Sequence, residues 1–346
     1  MNYFGLKYIK FSILIFVLSI VISCNHHKGE NENIIYSKID SLYTETDVEN
    51  YIKKKEIFDR EFELKTIQEF NRDYFSDSIS KLIAKDLGID KSFYKVDFDY
   101  NGHTDLLVIG DSKSCSNGKG SCSFDCFVLM SYPNDSIRII NLIKGAIDHS
   151  IVPVIRKTKE NTFLEIHKPT KIIFKDVYKE GSIETLVYVF DTFIEYNSNP
   201  QKHIIQSLEF SAEPCFGTCP IFTLNINDKR EAIFIAEAYN FSRKREDYRE
   251  DGEGKFKTIV STEKYNEIIG LLNYIDFKNL KNEYFVNWTD DASVTLKIVY
   301  DNGKEKVIND YGLIGTYGLN HLYRLFFDLR FNQKWEEILE QSTTEN

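Results

Sequence analysis

The chain has 346 residues, with 43 Lys and Arg against 53 Asp and Glu, for a net charge of −10. That balance argues against a nucleic-acid binder, which needs a basic face to neutralise phosphates. Aromatics at 14 % with only 6 prolines and 17 glycines indicate well-filled, strand-rich cores, and no repeat of a solenoid or propeller is visible.

Lys7 and Lys10 form a basic start, and the 13-residue run FSILIFVLSIVIS follows, ending at Cys24. A basic start and an apolar core too short for a membrane span read as an export signal. Val21-Ile22-Ser23-Cys24 resembles the bacterial lipobox, which implies cleavage of residues 1–23, lipidation of Cys24 with palmitate-type chains, and a stable membrane anchor. A buried apolar helix or a plain signal anchor is the alternative. Asn25 stands where the best-studied enterobacterial lipoproteins carry the Asp that marks inner-membrane retention, so the resemblance points to the outer membrane of the cell envelope, facing the periplasm. Residues 24–40 are polar and read as a flexible tether. The signal carries two lysines and no acid, so the remaining chain stands at −12, with length enough for two domains.

Residues 62–86 place Phe62, Ile67, Phe70, Phe75, Ile79, Leu82 and Ile83 at roughly helical spacing, predicting one or two helices. From Tyr94 the period becomes two, with strands expected at 94–100, 105–109, 124–132, 137–143, 151–156, 161–167, 171–177 and 184–196. The polar stretch 196–203 is the linker candidate. Beyond it the pattern predicts strands at 204–211, 220–227, 231–239 and 256–260, with a charged, solvated loop at 242–255. A helix with Thr262 as N-cap and Tyr265, Ile268, Ile269 and Leu272 on one face comes next. Then comes a hairpin turned by Asp301-Asn302-Gly303, and last a helix over 317–340 with Leu319, Leu322, Tyr323, Phe326 and Leu329 inward and Trp335 near its end. The expected fold class is α+β in two domains, 41–198 and 204–341, each an antiparallel sheet with packed helices.

Asp97, Asp99, Asn101 and Asp105 fall at positions 1, 3, 5 and 9 of a calcium loop. Gly102 supplies the turn, and the His103 carbonyl serves at position 7. Val108 replaces the EF-hand glutamate, and strand-like runs flank the loop. The pattern resembles the strand-loop-strand calcium loops of integrin-type FG-GAP repeats, over about ten residues and once only. Asn101-Gly102 fits equally a type I′ hairpin turn with Tyr94, Val96, Phe98 and Tyr100 alternating along its strand, the carboxylates then being merely solvated.

An exported protein meets an oxidising compartment, and five cysteines remain after Cys24. Cys126 lies in the strand-like run FDCFVLM and is a candidate for the spare thiol, with Cys115 and Cys122 then pairing. Cys215 and Cys219 enclose three residues and run into a strand, whereas a thioredoxin-type centre uses two and a helix N-terminus to favour the thiolate. Gly217 lets the chain reverse so that the two can bond, which pins a turn. Redox chemistry, or metal binding with Cys115, Cys122, Cys126 or a histidine, remains the alternative.

Glu213-Pro214-Cys215-Phe216-Gly217-Thr218-Cys219-Pro220, followed by a strand, a helix, Trp288-Thr289-Asp290-Asp291, a hairpin and a last helix with Trp335, resembles a C-F-G-x-C-P domain family of bacterial envelope lipoproteins. That family is of unknown function and brings no established activity or catalytic residues with it, so the resemblance implies location and fold. Adjacent carboxylates on a strand point to opposite sides, so Asp290 and Asp291 suit a loop better than an acid/base pair. Neither H-E-x-x-H, G-x-S-x-G nor a phosphate-binding loop occurs, and Ser78-Ile79-Ser80-Lys81 matches S-x-x-K without its partner motifs. The expected role is therefore a non-catalytic envelope lipoprotein that meets the membrane through its anchor and binds or assembles with an envelope protein. The alternative is a thiol oxidoreductase at Cys215 and Cys219, or a hydrolase of unrecognised type.

Overall fold

Two periodicities organise the chain: an apolar stripe on each helix, and strict alternation on the strands of the second half. The computed structural model describes residues 37–57, 62–70, 72, 75–112, 123–144, 150–174, 177–240 and 253–339, and these fall in one compact unit. The signal segment, Cys24, the tether as far as residue 36, Cys115, Cys122 and most of the charged loop lie outside them. The architecture is α+β, with 25 % helix and 40 % strand.

Helix α1 (Glu45–Lys54) starts where the Thr44 hydroxyl accepts the Asp47 N–H at 3.1 Å and the Asp47 carboxylate accepts the Thr44 N–H at 2.9 Å, satisfying two otherwise orphaned donors. Its Val48, Tyr51 and Ile52 cover one face of a five-stranded sheet of β1 (Glu63–Leu64), β2 (Phe93–Val96), β3 (Asp105–Asp111), β4 (Asp125–Tyr132) and β5 (Ser136–Asn141). β3 is central: β1 and β2 pair end to end along one edge of it and β4 along the other, all antiparallel. Every residue of β3 is buried, because its Leu107 and Ile109 side faces the main core while Leu106 and Val108 meet α1.

The helical pattern that begins at Phe62 yields one α-helix, α2 (Phe75–Asp86), after a short strand and a single 3₁₀ turn. A second antiparallel sheet follows, in the order β11 (Thr192–Glu195), β10 (Ser182–Val189), β7 (Thr162–Lys168), β6 (Val152–Lys157), with a small hairpin of β8 (Lys171–Phe174) and β9 (Val177–Lys179) beside it. The strand predicted over 184–196 is broken: Phe190 and Asp191 take φ of +51° and +62°, folding it into the β10–β11 hairpin. The strand predicted over 171–177 likewise splits into β8 and β9.

The second half is an eight-stranded sheet in the order β16 (Glu283–Phe285), β18 (Lys304–Tyr311), β17 (Ser293–Tyr300), β12 (Ile205–Glu213), β13 (Ile221–Asn227), β14 (Glu231–Ala238), β15 (Gly254–Ile259), β19 (Glu336–Glu337). All neighbours are antiparallel except β16 and β18. Leu208 and Phe210 of β12, Phe222 and Leu224 of β13 and Leu296 and Ile298 of β17 point to one face. There α3 (Thr262–Tyr274) and α4 (Tyr317–Asn332) cover them, and Phe210 stacks on Phe326 at 4.8 Å. The α3 cap is Ser261, whose hydroxyl accepts the Lys264 N–H; Thr262 is the first helical residue, not the cap. α4 ends at Asn332 instead of continuing to 340. Trp335 then folds back, its indole N–H donating to the Leu329 carbonyl at 3.1 Å and its ring lying 5.3 Å from Phe234.

The described parts of both halves share one core cluster, and polar contacts join them. Glu195 at the end of β11 accepts the Tyr317 and Gly318 N–H groups at 2.5 and 2.9 Å, so a carboxylate from the first half caps α4 of the second. The stretch predicted as a linker is packed: Asn197 donates to the Tyr274 carbonyl at 2.6 Å, and Phe190 meets the edge of Tyr274 at 5.7 Å. Gly318 sits where a β-carbon would come within 2.5 Å of Ile275, which explains its place at this contact.

His321 of α4 lies at the same joint, both ring nitrogens buried without a well-formed hydrogen bond. Burial and then the Arg324 charge push it down to about 4, against weaker opposition from the Glu267 charge and the Phe190 backbone. The unfolded chain takes up this proton near pH 6.5 and the folded chain only near 4. The neutral ring's contribution is therefore complete above pH 6.5 and is lost as pH falls to 4, at a cost of about 3 kcal/mol. Urea midpoints measured from pH 7 to 4 are expected to fall more steeply for the natural chain than for His321→Leu; parallel curves would refute the assignment.

Candidate functional site

β2 ends at Val96, paired with Asp105 at the start of β3, and residues 97–104 leave the ladder between them. The strand predicted through Tyr100 therefore stops four residues early. Positive φ falls on Tyr100 (+57°) and Gly102 (+82°), whereas a type I′ turn at Asn101-Gly102 needs it on both central residues. The loop is a wide one wrapped around its own carboxylates.

Asp97, Asp99 and Asp105 converge, each offering an oxygen within 4.8 Å of the others. Asp105 is fully buried and is held by two backbone donors, Phe98 N–H at 2.8 Å and Ser131 N–H of β4 at 2.7 Å. Asp97 accepts the Gly102 N–H at 2.9 Å through Oδ2, while its Oδ1 is buried with no hydrogen-bond partner. Asp99 accepts from the Asn101 N–H and side-chain amide at 3.3 and 3.0 Å, and that amide also donates to the Ser131 carbonyl at 3.0 Å. The Asn101 side-chain oxygen accepts the His103 N–H at 2.7 Å. His103 itself is buried, which holds its backbone inside the loop.

Burial pushes Asp105 up to about 7, with the neighbouring Asp99 and Asp97 charges adding to it and the two backbone donors opposing. Burial likewise raises Asp99 to about 6, helped by Asp97. One buried and two half-buried carboxylates brought together, one oxygen of them orphaned, form a set that a divalent cation would relieve, since its charge reverses both causes. The donors fit calcium: hard oxygens only, at the 1, 3, 5, 9 spacing, with spare lone pairs on Asp105 and Asn101 beyond the bonds they now make.

The second candidate centre is the Cys215–Cys219 disulfide, with Cα atoms 5.7 Å apart in the turn between β12 and β13. Gly217 has φ of +131°, a value that an L side chain rarely adopts, so the ring depends on that glycine. The chain leaves the ring into strand β13. A helix N-terminus, the element that stabilises a thiolate, does not follow it. Cys126 in β4 is a free thiol, fully buried, and burial pushes it up. Reducing so short a ring is expected to remove only about 2 kcal/mol, so a Cys215→Ser/Cys219→Ser variant should still fold and melt a few degrees lower. A redox titration checks the alternative, because reversible cycling at an oxidoreductase potential would contradict a structural pin.

Other buried polar groups were not signalled by any motif. Arg72 forms a two-point ion pair with Asp77 of α2, Nε to Oδ2 at 2.9 Å and Nη2 to Oδ1 at 2.6 Å, and also donates to Ser150 Oγ at 2.8 Å. Ser150 Oγ bonds Asp77 in turn, and Ser80 Oγ bonds the Ser150 carbonyl. Ser78 of the S-x-x-K match is exposed on α2, apart from this cluster. His203 Nδ1 lies 2.5 Å from Asp301, the arrangement of a catalytic dyad. Its other nitrogen is buried without a partner, and the ring lies edge-on to Phe277 and Tyr300, so this pair clasps the β17–β18 turn. Asp290 and Asp291 lie in the loop before β17.

Residues 206–330 match a family of domains of unknown function (DUF6438), which takes in the disulfide turn and leaves the carboxylate loop outside. No curated protein and no solved structure matches the chain.

Proposed function

We propose that the protein is a lipid-anchored cell-envelope protein with a binding or assembly role, whose first half is tied together by a structural calcium ion. The observation that carries the calcium reading is the convergence of Asp97, Asp99 and Asp105 around the buried, unpartnered Oδ1 of Asp97. Asp97, Asp99, Asn101 and Asp105 would hold the ion through side-chain oxygens and His103 through its carbonyl. Bound there, calcium supplies charge neutralisation between β2 and β3. A non-catalytic role is supported by how the buried acids are used. Asp105 and Asp310 accept backbone N–H groups and Asp77 pairs with Arg72, and the half-buried Glu195 likewise serves structure by capping α4. The envelope assignment rests on the order of basic start, short apolar core and Val21–Cys24 in the sequence.

The test is a melting series on residues 25–346 in calcium and in chelator. At a hundredfold excess over the dissociation constant a bound ion stabilises by about 2.7 kcal/mol, so the melting temperature is expected to rise by several degrees in calcium. Asp97→Asn/Asp99→Asn should abolish the rise; an unchanged melting temperature in the natural chain would sink the site. Anchoring is read separately, from the mass of the mature N-terminal peptide and the release of Cys24→Ser from the membrane fraction.

A further inference from the structure

The two motifs that the calcium reading leaves unused, Cys215–Cys219 and Trp288–Asp291, meet at one end of the eight-stranded sheet. The Phe216 N–H donates to the Asp290 carbonyl at 3.3 Å, joining the two loops. The Asp291 N–H donates to the Tyr311 hydroxyl at 3.2 Å, and the Val286 N–H to the Tyr311 carbonyl at 3.1 Å. Glu213 pairs with Ser293, Ser293 with Tyr311 and Tyr311 with Phe285, so these four residues form one row across β12, β17, β18 and β16. The row lies on the sheet face opposite α3 and α4, because the buried residues of these strands occupy the alternate positions.

Among the described residues, the two joined loops and the end of β18 display an apolar and acidic surface. Phe216 is 86 % exposed, Phe285 69 % and Trp288 41 %. Water-facing aromatic rings gathered at one place mark an interaction site more often than isolated ones do. Two of the positions are also anchored: the Phe216 backbone by the disulfide and its N–H bond, and Trp288 by its indole N–H donating to Asp291 Oδ2 at 2.9 Å. Anchoring these positions before association removes part of the entropy cost of binding. Residues 213–221, 285–293 and 311–313 contain three carboxylates, Glu213, Asp290 and Asp291, and no Lys or Arg. Arg330, which bonds Asn240 from the α4 side, is itself stacked over Phe222, Phe327 and Phe331.

We infer that this end of the sheet is a docking surface for a polypeptide partner that presents a Lys- or Arg-rich segment, its cations stacking on Phe216, Phe285 and Trp288 and pairing with Glu213, Asp290 and Asp291. A cation over an aromatic face gains from the ring quadrupole, and neighbouring carboxylates add long-range attraction, so such a segment satisfies both features at once. This deepens the binding role proposed above and is independent of the calcium loop.

The experiment places the photoreactive p-benzoylphenylalanine at Phe216 in the full chain in intact cells, with the same residue at Lys304, at the opposite end of the sheet, as comparison. The expected result is an adduct at 216 that maps to a net-positive segment of another protein. Its yield should drop about fivefold in Glu213→Gln/Asp290→Asn, the scale of removing two exposed charge pairs. That variant keeps the Asp291 bonds, and an unchanged melting temperature verifies its fold. An adduct on an acidic or apolar segment, on a second copy of this chain, or insensitive to the charge variant overturns the inference. Adducts at 304 with none at 216 overturn this surface while leaving a binding role intact, and adducts at neither position remove both.

Discussion

Arg72→Ala is expected to lower stability by about 3 to 5 kcal/mol, read as a shift in the urea midpoint at constant slope. The side chains of Arg72 and Asp77 are 4 % and 5 % exposed, so the loss of one leaves the other charged and dry. Arg72 also lies over Phe70 and Phe124, 5.3 and 5.4 Å from their ring centres, and ties Ser150 to α2. Removing one partner of such a pair costs more than removing both, because the survivor's desolvation is then uncompensated. The double variant Arg72→Met/Asp77→Leu should accordingly be more stable than Arg72→Ala. A loss below about 1 kcal/mol in the single variant would show that the pair is wetter than its geometry implies.

Asp105→Ala is the second large effect, and it separates the protein's architecture from its ion. The carboxylate accepts the N–H of Phe98 in the loop and that of Ser131 in β4, and both bonds lie in the interior. Orphaning two buried donors costs about 1 to 3 kcal/mol each, so a loss of about 2 to 6 kcal/mol is expected even in chelator. Asp99→Asn orphans no donor outside its own loop, since its bonds come from Asn101. Its effect should therefore show mainly in calcium and nearly vanish in chelator. Equal losses for Asp99→Asn in both solutions would mean that the loop carboxylates act only through their hydrogen bonds.

Much of the second half could be read locally. The alternation through Leu208, Phe210 and Ala212, and again through Phe222, Leu224 and Ile226, predicts strands with one buried face, and the strands form in register. Asp301-Asn302-Gly303 turns the β17–β18 hairpin with positive φ at all three residues, as its composition predicts. The first half was harder, because its signals compete. Phe190 and Asp191 carry no Gly or Pro to announce a turn, yet the hairpin there places Phe190 against Tyr274, and that packing offsets the left-handed backbone. The pattern beginning at Phe62 has helical spacing, but pairing of Glu63 and Leu64 with β3 takes its first residues into a sheet.

The carboxylate loop shows the division most clearly. Its residue types, their spacing and the glycine at Gly102 are local properties, so the sequence alone singled out Asp97, Asp99 and Asp105 as one candidate set, beside a hairpin in which the same carboxylates are solvated. The same holds for the Cys215–Cys219 turn, where four residues of separation and Gly217 suffice. Only the tertiary structure decided that Asp105 is dry and bonded to Ser131, 26 residues away, and that Asp77 meets Ser150, 73 residues away. It also decided that Glu195 caps a helix 122 residues further on, and that Phe216 rests against Asp290 beside Trp288. Periodicity and turn chemistry act through neighbours along the chain, whereas burial and the choice of a distant polar partner arise only when whole elements pack.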